Sequence, residues 1–154
     1  MSSDALSHDE LMQEIGNAGR EWSTATVLFH TALAERFGLN LTDWKCAELV
    51  SRERMTAGQL ATYTGLTTGA ITGVIDRLEQ ARFARRVPDA QDRRKVMIEA
   101  LHERDEEVAR LFGPLLQKMA TLMAQYSDAE LAFMLTFMRQ SIEITIQAKD
   151  ELNQ

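Results

Sequence analysis

The sequence predicts a mainly α-helical fold carrying one small β-hairpin, and three observations predict it. Apolar residues recur at alternating steps of four and three near both ends of the chain, the mark of helices with one buried stripe. Between 56 and 80, the capping signals Thr56-Ala-Gly-Gln59 and Thr67 lie on either side of Gly65 and define two short helices in tandem. Two β-prone runs then flank the turn Pro88-Asp-Ala-Gln-Asp92, placing Arg93, Arg94 and Lys95 near the tip of a hairpin. A helix-turn-helix followed by a charged hairpin is a winged helix-turn-helix, an arrangement suited to duplex DNA.

Taken in order, Leu11, Ile15, Ala18, Trp22, Ala25, Phe29 and Ala32 place one stripe on a first helix of roughly 28 residues that ends near Phe37-Gly38. Thr42 is expected to cap a second helix running to about Arg52, Thr56 a third stopped by Gly65, and Thr67 a fourth running to about Gln80. Past the hairpin, Val108, Leu111, Phe112, Leu115, Met119, Leu122 and Tyr126 mark another helix, which Gly113-Pro114 should kink unless packing absorbs the bend. Ser127-Asp-Ala-Glu130 is a second capping box and opens a last helix to about Lys149.

That last helix is apolar on two faces, with Leu131, Leu135, Met138, Ile142 and Ile146 on one and Phe133, Phe137, Ile144 and Ala148 on the other. A terminal helix has one face to give to its own core, so the second asks either for a two-fold-related copy or for a sandwich within one chain. The expected organisation is a single domain over 1–154, with a winged lobe at about 40–100 and N- and C-terminal dimerisation helices at about 8–37 and 103–150.

The length of 154 residues and 45% hydrophobic content allow one substantial core and are short for two domains. No apolar run reaches the roughly 20 residues that span a bilayer, and the start lacks the regions of a signal peptide, so a cytoplasmic protein without a membrane partner is expected. Cys46 is the single cysteine and the three histidines are scattered at 8, 30 and 102, so neither an internal disulfide nor a structural metal or other cofactor is expected.

A net charge of −6 speaks against a nucleic-acid partner until its distribution is read. Between 51 and 101 there are nine Arg/Lys against six Asp/Glu, which leaves eight against seventeen for the rest of the chain. The basic middle contains the tandem helices and the hairpin. On the helix after Thr67, Ile71, Val74, Ile75 and Leu78 make the buried stripe, leaving Thr68, Gly69, Thr72, Gly73 and Asp76 outside. Small residues permit close approach to a groove, Thr hydroxyls can bond phosphates or bases, and the amides near Thr67 favour a phosphate. No glycine-rich phosphate loop, nucleophile elbow or paired metal-ligand motif is present, so an enzyme is not expected.

Leu41-Thr-Asp-Trp44, Leu60-Ala61, Thr64-Gly-Leu-Thr67, Ile75-Asp-Arg-Leu-Glu79 and above all Pro88-Asp89-x-x-Asp92-Arg93-Arg94 resemble the MarR family of winged-helix transcriptional regulators, in continuous register from about Gly38 to Leu101. The resemblance implies a homodimer on a pseudo-palindromic operator, usually a repressor, released by a small phenolic or otherwise apolar acidic effector. By position it assigns DNA contact to Thr67, Thr68 and Thr72, minor-groove insertion to Arg94, and bracing of the wing to Asp92; Arg77, Arg86 and Arg93 become phosphate contacts or intradomain ion-pair partners. The chain departs from the family pattern at Thr68 and Gly73, where arginine is common, and at Arg82, where glycine is usual, so groove shape and the wing should carry more of the specificity.

Three residues, Trp22, His30 and Trp44, are candidates to line an effector pocket and equally candidates for the core. Cys46 reads as an inert buried thiol or, alternatively, as the switch of a redox-responsive regulator. A further alternative is a winged-helix protein-interaction module that never touches DNA, although such a module has no evident use for Arg93, Arg94 and Lys95 beside a threonine-rich helix face.

Overall fold

Side-chain caps set where the helices begin. Residues 6–92 and 94–152 are described in the computed structural model; Arg93 lies outside the described residues. Ser7 and Glu10 form a reciprocal capping box at the start of α1 (His8–Glu35), and Thr56 and Gln59 do the same for α3 (Ala57–Thr64). The Thr67 hydroxyl accepts from the Ala70 amide at the head of α4 (Thr68–Gln80). After α5 (Asp105–Met123), which is continuous across Pro114, the Ser127–Glu130 box opens α6 (Asp128–Leu152).

Two boundaries depart from the sequence reading. The second helix, α2 (Leu41–Arg52), is capped by Asn40 rather than Thr42. Asn40 accepts from the Asp43 amide at 2.9 Å and Asp43 returns a bond to the Asn40 amide at 3.1 Å. Thr42 has Lys45 three residues on, a side chain with no acceptor to return. The first helix stops at Glu35, and the chain turns through Gly38 at φ 70°.

The sheet has a third strand that the sequence reading lacked. The hairpin strands β2 (Ala84–Pro88) and β3 (Val96–Ala100) are as expected, but β1 (Met55–Thr56) adds to the other side of β3, giving the antiparallel order β1-β3-β2. The register pairs Met55 with Ile98, Ala84 with Ala100 and Pro88 with Val96. With β1 added to its edge and α2 and α4 packed against its strands, the hairpin is a supported wing rather than an isolated ribbon.

Among the described residues, the core comes from the end of α1, from α2, α3 and α4, and from the sheet: Leu33, Phe37, Trp44, Val50, Met55, Leu60, Ile98 and the whole expected stripe Ile71, Val74, Ile75 and Leu78. Neither α5 nor α6 contributes a buried residue. Arg82 follows α4 at φ 60°, so the turn into the wing adopts the left-handed conformation that glycine takes more readily.

Candidate nucleic-acid interface

The burial of Ile71, Val74, Ile75 and Leu78 turns the other side of α4 outward and leaves Thr68, Gly69 and Thr72 exposed. Their hydroxyls are not equally available. Thr67 uses its oxygen as the N-cap, keeping its O–H for a phosphate, whereas Thr72 donates its own hydroxyl to the Thr68 carbonyl at 3.0 Å. Thr72 can therefore accept from a base or offer its methyl group to thymine. Gly73 is half-buried beside Arg77; a Cβ there would meet Arg77 Nη1 at 3.4 Å, an ordinary contact.

The structure places the candidate arginines in two classes. Arg77 grips Asp43, a fully buried carboxylate, through Nε at 2.9 Å and Nη2 at 2.7 Å. The hydrogen bond to Asp43 raises the Arg77 pKa further above its ordinary value. Since Asp43 also closes the cap of α2, this pair ties the recognition helix to the helix behind it. Arg86, on β2, reaches Asp76 at 2.7 Å and Glu79 on α4, and its backbone N–H donates to Glu79 at 2.8 Å. Of the two roles left open for Arg77 and Arg86, both occupy the ion-pair role.

Arg94 belongs to the second class. Its side chain is 91% exposed at the wing tip, and among the described residues its one carboxylate contact is from Nε to Asp92 Oδ1 at 3.2 Å. The same oxygen accepts the Arg94 amide at 3.1 Å, while Asp89 takes the amides of Gln91 and Asp92 at 2.9 and 2.8 Å. Those bonds hold the Asp89 carboxyl below its usual range, with the Asp92 amide the largest cause. Asp92 thus bonds the backbone and side chain of Arg94, and Asp89, which the sequence reading did not name, holds the turn before it.

Glu99 is also buried, and it is answered by Arg85 at 2.5 Å and Arg54 at 2.7 Å. Pairing at Asp43, Asp76, Glu79 and Glu99 engages four of the arginines in the basic segment, whereas Arg94 projects from the wing tip.

The three proposed pocket residues do not meet. Trp44 is buried and lines a cavity of about 270 Å³ together with Ala47, Glu48, Phe83, Val108 and Phe112. His30 lies just outside, its ring 6.0 Å from that of Phe112 and its Nδ1 against Lys45 Nζ; burial lowers its pKa. Trp22 sits on a separate groove with Phe137 and Ile142 and is 58% exposed. The correction is geometric: Trp22 lies about two turns of α1 before His30, on the side turned toward α6. Phe83, Phe112 and Glu48 were missed because they reach the cavity from three different elements.

Cys46 is fully buried, and its thiol is pushed up to about 11, by burial first and the Asp43 charge second. Such a thiol is protonated and shielded at neutral pH, so the structure gives the redox alternative no reactive group.

The sequence model of the MarR family matches residues 37–95. A "HTH-type transcriptional regulator YcgE" from Bacillus subtilis (strain 168) is 36% identical over 149 residues, covering 96% of this chain and 97% of that protein. The chain belongs to the MarR family. Two solved structures show how widely this fold is kept. A MarR family protein from Bacillus stearothermophilus superposes with a TM-score of 0.67 at 16% identity over 91% of this chain and 99% of its own. AbsC, a MarR family transcriptional regulator from Streptomyces coelicolor, gives 0.59 at 20% identity over 93% and 98%. As a MarR-family protein, the chain is a DNA-binding transcriptional regulator with a winged-helix fold. Among the described residues no helix is long and apolar enough to cross a membrane.

Proposed function

We propose that this MarR-family chain is a cytoplasmic homodimeric repressor that reads a pseudo-palindromic operator with two α4 helices and two wings and is released by a small apolar effector. The observation that carries it is the pairing, on one lobe, of a small-residue helix face at Thr68, Gly69 and Thr72 with a braced, outward Arg94. In this reading Thr67, Thr68 and Thr72 contact the major groove and Arg94 enters the minor groove, whose narrow stretches concentrate negative potential. Arg93 is assigned a phosphate contact, while Arg77 holds the recognition helix to α2 and Arg86 holds it to the wing.

The homodimer follows from α1 and α6. Leu11, Ile15, Trp22, Phe133, Phe137, Ile142 and Ile144 are all at least 45% exposed, an apolar surface of the kind an obligate interface covers. The effector reading rests on the cavity at Trp44, which lies between the winged lobe and α5, the helix leading to α6. Its lining does not favour the aromatic acid implied by the resemblance. The interaction-module alternative leaves Arg94 without a use.

A gel shift with DNA from immediately upstream of the protein's own gene tests the proposal. A retarded band that competes with unlabelled upstream DNA but not with scrambled duplex is expected; retardation by both equally would remove the operator from the proposal.

A further inference from the structure

We propose that the cavity between α2, the wing sheet and α5 takes an aromatic cation, a ring bearing an ammonium group, and discriminates against carboxylates; this assignment rests on the effector reading above and names its ligand class. The apolar wall is aromatic. Trp44 and Phe83 stand 5.8 Å apart with their rings steeply inclined at 72°, and Phe112 on α5 joins them in the lining with Val108 and Ala47. The volume of about 270 Å³ matches one or two rings.

The polar side chains of the lining are Glu48, Asp105, Ser51 and His102; among the described residues two carboxylates line it and no lysine or arginine does. Lys45 occupies Glu48 Oε2 from outside the cavity at 2.8 Å, and Trp44 Nε1 donates to Glu48 Oε1 at 2.9 Å. Each carboxylate oxygen has two lone pairs, so both retain acceptor capacity. At the mouth, Asp105 accepts from His102 at 2.8 Å through a single oxygen, Oδ2.

An incoming ammonium would find the Glu48 and Asp105 carboxylates as acceptors in a lining that also carries aromatic rings. The cluster already serves this chemistry on its far side, where the Arg104 guanidinium lies 4.8 Å from the Phe37 ring centre and 5.9 Å from that of Phe83. An incoming carboxylate would find His102 as the single ionisable donor in the lining, already engaged by Asp105. The amino end of α5 offers it little, because Asp105, Glu106 and Glu107 fill that first turn and answer the helix dipole.

The cavity also touches the parts that must move together. Trp44 and Ala47 are on α2, which packs against α4; Phe83 precedes the wing; Val108 and Phe112 are on α5. A ligand seated there bears on the angle between the winged lobe and the helices that continue into α6.

The test compares three probes of one shape, 2-naphthylmethylamine, 2-naphthalenemethanol and 2-naphthoate, on the full-length protein near pH 7.5, read by calorimetry and by Trp44 emission in a Trp22→Phe background. The amine is expected to bind at least about tenfold more tightly than the other two. Glu48→Gln and Asp105→Asn, which keep an acceptor for Trp44 and His102, should each weaken the amine several-fold and leave the alcohol within about twofold. Equal or tighter binding of 2-naphthoate, binding of none of the three, or an amine preference that survives both substitutions overturns the proposal. Operator binding is measured separately by fluorescence anisotropy. Charge-dependent amine binding without operator release upholds the ligand class and removes the release reading, and the same binding by a protein with no operator affinity upholds it while removing the proposed repressor.

Discussion

Under the proposed function, Arg94 and Thr72 would divide the work of DNA contact unequally. Among the described residues the Arg94 side chain is tethered through Nε to Asp92 alone, whereas Thr72 has already given its hydroxyl proton to the Thr68 carbonyl. Arg94→Ala should therefore weaken operator binding by about 1–3 kcal/mol with the melting temperature unchanged, since the tip is solvent-exposed. Thr72→Ala should cost less. Anisotropy titrations beside thermal melts check both, and a matching loss of stability in Arg94→Ala would assign that residue to the wing's own structure. Asp43 behaves in the opposite way: Asp43→Asn removes the charge facing Arg77 and leaves one acceptor oxygen where the Asn40 amide and two Arg77 nitrogens now share two, so it should destabilise the fold by about 2 kcal/mol in urea. Because Arg77 itself is 45% exposed, the loss stays below that of a wholly buried pair. Cys46, protonated at neutral pH and enclosed, should resist a thiol-reactive disulfide reagent in the native protein and react at once in denaturant. Rapid native labelling would return the redox alternative to consideration.

The recognition helix was the most legible element because its four buried positions follow a strict helical period and its caps are short-range chemistry. The same locality explains the failures. Thr42 looks like a cap when read alone, and only the reciprocal Asn40–Asp43 bonds displace it; β1 is two residues long and exists because β3 offers it an edge. Of the cavity only Trp44 was legible, since Glu48, Phe83 and Phe112 become its neighbours only through tertiary packing. Of the arginines, sequence spacing could not separate Arg77 and Arg86, held by acids on other turns and elements, from Arg94. The exposed side of α4 carries a prediction of its own. Gly73 leaves ordinary contact room beside Arg77, so Gly73→Arg should fit, bring a cation toward the phosphates, and steepen the dependence of log affinity on log salt by about one unit per subunit. It should raise affinity for scrambled duplex as well as for operator. Unchanged slopes on both duplexes would mean that residue 73 faces away from the DNA.

At the scale of the molecule, the folded core and the apolar surface lie in different places. The described core stops at the winged lobe and the end of α1, while α5 and α6 together form 44 residues of helix without one buried side chain. Isolated helices of that length draw most of their stability from packing rather than from propensity, so a lone chain would leave them weakly held. Phe133, 73% exposed, and Ile144, 66% exposed, lie on one face of α6, and Ile142 and Ile146 on the other; the two-faced pattern read from the sequence is present as exposed surface. A second copy covering these faces would bury apolar area at roughly 25 cal/mol per Å², with α1 of each protomer contributing Leu11, Ile15 and Trp22. Light scattering at low micromolar concentration should report about twice 17.4 kDa. A double charge substitution on α6, Phe133→Glu with Ile144→Glu, should move that mass toward one protomer without altering the core of the winged lobe, because neither side chain belongs to it. Near-ultraviolet signals from buried Trp44 should then persist, while operator affinity falls steeply, since one lobe reads one half-site and forfeits the second. A wild-type protein that scatters as a monomer would remove the dimer and the palindromic operator together, and a charged variant that remains dimeric would place the interface away from α6.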